Sequence, residues 1–348
     1  MPAVAEIFST PDYLPHRVSI VEESTEFVRT DRAKLRAATF LDGRTDFSSG
    51  PSAGTSIDAL LAQTIDVSSP DRFIFHVGFC GSTLLSRLLD GEGRAVVLRE
   101  PNCLVDLAAY QAALDHKDMR DGRRDAILLS LCALLRRRWA PTEAVVIKPS
   151  SWINNIAPLL CRISPGIRPL FLTMSRAAFI HAIFRGGTAR LNFAARAAVH
   201  LSSAGSENAK LVASALASTT EPLRQLALLA VVTHEIQMRL FREAERVGGW
   251  GLPHRLTFEE IVTDPLKASI KAAAALGLEL DEGALEKRCS HWLGRHAKQP
   301  DASFSIGDEA DADVRVMAEF GDHIDMALRW ADREIGPSPA TELFLDRP

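Results

Sequence analysis

The segment FIFHVGFCGSTLLSRLLD, residues 73–90, places Gly78, Gly81, Ser82 and Thr83 directly after an apolar run. A strand feeding a glycine-containing turn at a helix N-terminus aims several backbone N–H groups and the positive end of the helix dipole at one point. That arrangement binds phosphate or sulfate. The same residues equally serve an ordinary strand-to-helix connection, in which Gly turns the chain and Ser or Thr caps the helix. Two further charged positions close strand-like runs: Lys148 in AVVIKPS (144–150), and Arg99 with Glu100 in VVLREPN (96–102). Ligands of open α/β sheets bind outside the carboxyl ends of the strands, so a cation there can neutralise an anion and a carboxylate can take a proton from a hydroxyl. The blander readings are a snorkelling strand-end lysine, a turn glutamate before Pro101, and an Arg99 that is either a phosphate clamp or a solvated charge. His76 and His234 read as satisfied core imidazoles.

Holding such groups together takes a sheet, and the sequence carries the rhythm of one. FIFHV (73–77), AVVL (95–98), AVVI (144–147), PLFLT (169–173) and HRLTF (254–258) alternate with longer helical patterns. This predicts a three-layer α/β fold with a mainly parallel central sheet, helices on both faces and right-handed crossovers. A long helix is expected over 222–247, where Leu226, Leu229, Val232, Ile236 and Leu240 recur every three to four residues before Gly248-Gly249. Another is expected over 265–276, with Asp264 as N-cap, Pro265 at the first position and Gly277 as the stop. Residues 41–56 (LDGRTDFSSGPSAGTS) and 67–71 (VSSPD) are rich in turn formers. The chain therefore divides into an N-terminal extension (1–69), a main domain (70–305) and a C-terminal helical extension (306–348).

With 348 residues, 47% of them hydrophobic and 24% charged, the chain is neither disordered, collagenous nor a coiled coil. Its 40 Lys+Arg against 44 Asp+Glu leave a net charge of −4, which argues against broad binding to nucleic acid or anionic membrane and makes any anion site local. Five scattered cysteines, an odd number with no CxxC pair, indicate neither a disulfide framework nor a zinc site, so the reducing cytoplasm is the expected location. Residues 1–15 lack a basic and an apolar region of the signal-peptide kind, and the most apolar stretches, 126–135 and 226–233, fall short of the roughly 20 residues a membrane span calls for.

The run Gly81-Ser82-Thr83-Leu84-Leu85 is similar to the first motif of the P-loop sulfotransferases, and Ser86-Arg87-Leu88-Leu89 continues it in the style of bacterial members. In that family the motif wraps the 5′-phosphosulfate of 3′-phosphoadenosine 5′-phosphosulfate (PAPS). Residues 255–280, RLTFEEIVTDPLKASIKAAAALGLEL, resemble the family's later signature: Phe258-Glu259-Glu260-Ile261 stands for Y-E-D-L, Asp264-Pro265 for the helix start and Leu276-Gly277-Leu278 for its end. The resemblance spans residues 70–305. It implies a P-loop domain that transfers a sulfuryl group from PAPS, without a metal, to the hydroxyl of a small molecule, glycan or peptide.

Residue by residue, the resemblance implies a phosphosulfate cradle of Gly78, Phe79, Cys80, Gly81, Ser82, Thr83 and Leu84. It makes Lys148 the cation on the transferring group, as in tyrosylprotein and related bacterial members. Glu100, 21 residues after Phe79, becomes the general base. In RPLFLTMSRAAFIHAIFRGG (168–187) the family's 3′-phosphate positions are replaced, and Ser175 and Arg176 with Arg185 and the later Arg190 can either rebuild that anion site or stand as solvated helix charges. In HWLGRHAKQPDASFS (291–305) it points to Arg295, His296 and Lys298 as a lid over the phosphates. The sequence also departs from the pattern. Phe79 stands at the family's Lys/Arg, Gly78 and Cys80 at its proline and serine, and Met174 or Ser175 at the 3′-phosphate arginine. Losing one preorganised donor typically costs about two to three orders of magnitude in rate, so activity requires a substitute cation. A P-loop kinase or ATPase is the alternative, with Ser82 where its lysine would be, and a non-catalytic phospholigand-binding member is another.

Overall fold

The computed structural model describes residues 4–64, 69–114, 122–164, 166–292, 295–297, 299–303 and 306–336. Along the chain, β1 (Tyr13–Ser19), β2 (Ser24–Arg29) and β3 (Ala53–Ser56) make an antiparallel sheet in that order. The five apolar runs then become β4 (Arg72–His76), β5 (Ala95–Arg99), β6 (Ala144–Lys148), β7 (Arg168–Thr173) and β8 (Arg255–Thr257). They form one sheet of order β5-β6-β4-β7-β8 in which every ladder is parallel. This is the expected three-layer α/β architecture with a parallel central sheet. Helices cover both faces, which is why Phe73, Ile74, Phe75, Val96, Val97, Val146 and Leu170 are all buried and these strands carry no polar alternation.

The long helix runs Pro222–Gly248 and ends on Gly249, whose φ of 70° lies in the left-handed region that glycine occupies without strain. The helix Pro265–Leu276 starts on Asp264, whose side chain accepts from the Lys267 N–H. One boundary differs from the expectation. The 254–258 run stops as a strand at Thr257, because Thr257 accepts from the Glu260 N–H while the Glu260 carboxylate accepts from the Thr257 N–H at 2.7 Å. That reciprocal capping box starts a short helix, Phe258–Thr263, so Phe258-Glu259-Glu260-Ile261 is helical.

The flanking segments pack onto the same apolar core: Tyr13, Phe27, Leu35 and Phe47 on one side, Ile324, Ala327, Trp330 and Ala331 of the helix Ile306–Glu334 on the other. One attachment bears directly on function. The helix Arg32–Ala37 ends over β5, and its terminal carbonyls are taken by guanidinium groups. Arg99 Nε donates to Ala38 O (3.0 Å) and its Nη2 to Leu35 O (2.9 Å), while Arg87 Nη1 donates to Arg36 O (2.6 Å). Cations at a helix C-terminus satisfy orphan carbonyls and oppose the dipole. The Leu41 N–H then donates to Arg99 O at 2.7 Å, so residues 38–44 strap across the carboxyl end of β5. All five cysteines are free and buried. Among the described residues, no helix is long and apolar enough to cross a membrane.

Candidate functional site

Past β4 the backbone turns left-handed at Gly78 (φ 82°), Phe79 (φ 55°) and Gly81 (φ 75°) before entering the helix Ser82–Leu89. Gly81 also lies against Phe258, whose ring would stand 3.2 Å from an added Cβ. Phe79 adopts this conformation without glycine's freedom, a local strain of the kind that clusters at binding turns. The helices that begin at Arg176, Phe258 and Pro265 are capped by a side-chain oxygen, but Gly81 provides none. The first N–H groups of Ser82–Leu89 are thereby left for an incoming anion.

His76 holds the turn in place. Its Nδ1 accepts from the Gly78 N–H at 3.1 Å and its Nε2 lies 2.9 Å from Pro149 O. A carbonyl only accepts, so the proton is assigned to Nε2 and the ring is neutral. The imidazole is satisfied, as expected of a core histidine, and it also ties the β4 turn to the segment after β6.

At the next two strand ends, β5 and β6 pair with Arg99 opposite Lys148, and the Glu100 N–H donates to Lys148 O at 2.7 Å. Lys148 is 1% exposed, and its Nζ lies 2.5 Å from Glu100 Oε1. Glu100 itself is left-handed (φ 61°), a conformation that costs a non-glycine residue on the order of 1 kcal/mol or more. Its other oxygen, Oε2, lies 3.0 Å from Arg44 Nη2, and Arg44 also pairs with Asp42. The Phe40 ring is under both cations, 4.1 Å from the Arg44 guanidinium and 5.7 Å from Lys148 Nζ. A buried cation and a carboxylate thus stand together at the mouth of the turn.

These groups share one cavity of about 410 Å³. Gly78, Phe79, Ser82, Thr83, Glu100 and Lys148 line it, and so do residues the sequence reading did not single out: Phe40, Asp42, Arg44, Asn102, Ser150, Ser151, Trp152 and Phe193. Arg44 comes from a stretch (41–56) read only as turn-rich, in which no periodicity marks one side chain over another, and Phe40 directly precedes it. A cation also reaches Phe79 from outside the turn. The Arg190 guanidinium lies 4.6 Å from the Phe79 ring centroid, and Phe193 meets the same ring edge-on at 5.6 Å.

The remaining candidates lie elsewhere. Cys80 is fully buried with Sγ 3.8 Å from Leu172 O, and burial pushes its thiol up to about 11, so it offers no thiolate. Gly81 packs on Phe258, and Leu84 faces the cluster of Leu88, Leu285 and Cys289. Ser175 caps the helix Arg176–Arg185 through the Ala178 N–H at 3.1 Å. Arg176, 2% exposed, turns from the cavity to Asp332 (3.2 Å), Glu235 (3.6 Å) and Gly336 O (3.1 Å). Arg185 pairs with Asp313, and Arg99 is committed to the strap and to Asp90. Arg295 is exposed on the short strand Arg295–His296, while Lys298 lies outside the described residues. Among the described residues no group of three His, Cys, Asp or Glu side chains could hold a metal ion.

No family model and no curated protein matches the chain. Among solved structures it is similar to a sulfotransferase from Alicyclobacillus acidocaldarius, at 15% identity and a TM-score of 0.36 over 75% of this chain and 96% of that one. It is also similar to the sulfotransferase domain from the curacin biosynthetic pathway, at 12% identity and a TM-score of 0.35 over 73% of this chain and 98% of the other. Neither similarity decides the chemistry, for which the strand-end residues have to speak.

Proposed function

We propose that the protein is a sulfotransferase that moves a sulfuryl group from PAPS to an acceptor hydroxyl. The observation that carries this reading is the single cavity in which an uncapped helix N-terminus after β4 meets the Lys148–Glu100 pair at the ends of β6 and β5. The donor set fits the 5′-phosphosulfate: free helix N–H groups, the Ser82 and Thr83 side chains, and one buried cation. Bound there, PAPS supplies an electrophilic sulfur on a phosphate leaving group. Glu100 accepts the acceptor's hydroxyl proton as that oxygen forms the new O–S bond. Lys148 faces the bridging oxygen, which keeps the electron pair of the S–O bond that breaks and stays on the nucleotide. Arg44, 60% exposed, is the Glu100 partner best able to swing away and free Oε2 for this proton, whereas Lys148 is enclosed. The 3′-phosphate falls to cations other than Arg176, whose guanidinium is engaged with Glu235 and Asp332.

The transferase unit is assigned to residues 70–305, with the N-terminal extension lending Phe40 and Arg44. A cytoplasmic location is inferred from the five free thiols. Thermal unfolding with 3′,5′-ADP, compared with ATP plus magnesium, tests the reading. A ligand at about 100 times its Kd stabilises by roughly 2.7 kcal/mol. The expected result is a shift with 3′,5′-ADP that needs no magnesium. No such shift overturns the proposal, a magnesium-dependent ATP shift moves the chain to the kinases, and a 3′,5′-ADP shift without sulfuryl transfer leaves a phospholigand-binding protein.

A further inference from the structure

Beside the cavity just described lies a second, of about 440 Å³, and the two share Val105, Trp152 and Phe193. One wall is a single face of the helix Gly187–Ser202, on which Ala189, Asn192, Phe193, Arg196 and His200 recur at three- to four-residue spacing. The opposite wall is Val105 and Ala109, one turn apart on the helix Asn102–Ala113, and Trp152, four residues beyond Lys148, joins the two.

Aromatic rings run continuously from the anion-binding turn into this space. Phe79 meets Phe193 edge-to-face at 5.6 Å, Phe193 meets Trp152 at 5.5 Å and Trp152 meets His200 at 5.0 Å. His200 Nε2 lies 2.9 Å from Trp152 O, and burial lowers the imidazole's pKa, so this ring is neutral near pH 7. Among the described residues the lining therefore holds one permanent charge, Arg196, whose guanidinium lies 5.8 Å from the Trp152 ring, and no carboxylate.

We propose that this second cavity is the acceptor site and that it takes a hydroxylated aromatic acid. The flat ring lies against the Trp152–Phe193 pair, the acid reaches Arg196, and the hydroxyl end faces Glu100 where the two cavities meet. Edge-to-face contact with two fixed aromatics suits a planar apolar body, and a guanidinium at the far end suits a carboxylate. Among the described residues, a sugar would leave most of its hydroxyls facing carbon, with Asn192 as the sole amide, and an ammonium would meet Arg196 with no carboxylate to offset it. The assignment rests on the sulfotransferase reading only for what happens to the hydroxyl. Occupancy of the cavity does not depend on it.

The test titrates the full chain with 3-(4-hydroxyphenyl)propanoate, 4-ethylphenol, tyramine and methyl glucoside, followed by calorimetry and tryptophan fluorescence. The acid should bind about tenfold more tightly than 4-ethylphenol, and tyramine and methyl glucoside should bind more weakly than both. Arg196→Gln should remove that roughly tenfold preference while moving the affinity for 4-ethylphenol by less than about twofold. Ala189→Phe, at an exposed helix position, should block the acid and 4-ethylphenol and leave the thermal shift by 3′,5′-ADP intact. Equal binding of tyramine or glucoside, or unchanged acid affinity in both variants, overturns the acceptor assignment. Binding of the acid with no 3′,5′-ADP shift and no sulfate ester from PAPS overturns the sulfotransferase reading alone. A 3′,5′-ADP shift with no binding of the acid overturns the acceptor assignment alone.

Discussion

β6 and β7 lie on either side of β4, and each leads to a buried cation: Lys148 at the end of β6, Arg176 three residues past the end of β7. Both are ion-paired, yet their surroundings differ. The partner of Lys148, Glu100, opens onto a cavity, whereas the partners of Arg176 are Glu235 on the helix Pro222–Gly248 and Asp332 on the helix Ile306–Glu334. A charge at the ligand-binding edge of a sheet is thus not a site by position alone. What packs over it decides whether its field acts on a ligand or on the fold.

The contrast fails if the two cations behave alike on removal. Lys148→Met should lower sulfuryl transfer by about 10²–10³, the usual cost of one preorganised donor. Arg176→Met should instead destabilise by about 3 kcal/mol, because it removes the buried guanidinium's hydrogen bonds to Asp332 and Gly336 O, while Glu235 keeps Arg239 and Arg242. Calorimetric unfolding alongside single-turnover rates checks both, and a large rate loss in the folded Arg176 variant would erase the difference. Next in size, Glu100→Gln should cut the rate by about 10² while 3′,5′-ADP still binds, since the base is lost and the cradle is kept.

The closed region should also be the one that feels acid. His234 packs there, Nε2 at 2.9 Å from Met174 O, facing Arg176, Glu235 and Arg242, and burial lowers its pKa from 6.5 to about 4. A histidine whose folded pKa is depressed binds more protons when unfolded, so stability is intact above pH 6.5 and falls as pH drops toward 4. The loss should reach about 2 kcal/mol near pH 5, and His234→Gln should flatten that slope in acid titrations of the melting temperature. The smallest effect sharpens the open region. Arg44→Gln, at an exposed pair, should change 3′,5′-ADP affinity by no more than about fivefold, and the change should vanish at about 1 M salt.

Much of this fold is legible along the chain. Each of the five strands starts and ends within one residue of its apolar run, because alternation with helical segments and both-face burial leave a periodic mark. The turn, Glu100 and Lys148 could be named for the same reason, since each directly follows such a run. Arg44 and the adjoining Phe40 could not, because a turn-rich segment and its flank carry no period and nothing local tells that Arg99 and Arg87 pin the preceding helix end over β5. The aromatic wall left a fainter trace. Phe193, Arg196 and His200 keep helical spacing, but Ala189 and Asn192 on the same stripe hide it as an ordinary mixed face.

What the sequence determined by itself is the set of local elements: strands, caps, the Gly78–Gly81 turn and the charges at strand ends. These depend on hydrophobic period and on hydrogen bonds that reach three or four residues, so a short window contains their cause. Only the tertiary structure decided which charges face a ligand. Lys148 meets Glu100 across 48 residues, Arg44 meets it across 56, and Arg176 is closed off by Asp332 across 156. Electrostatic partners at such separations are chosen by packing of the whole core, which no local pattern encodes.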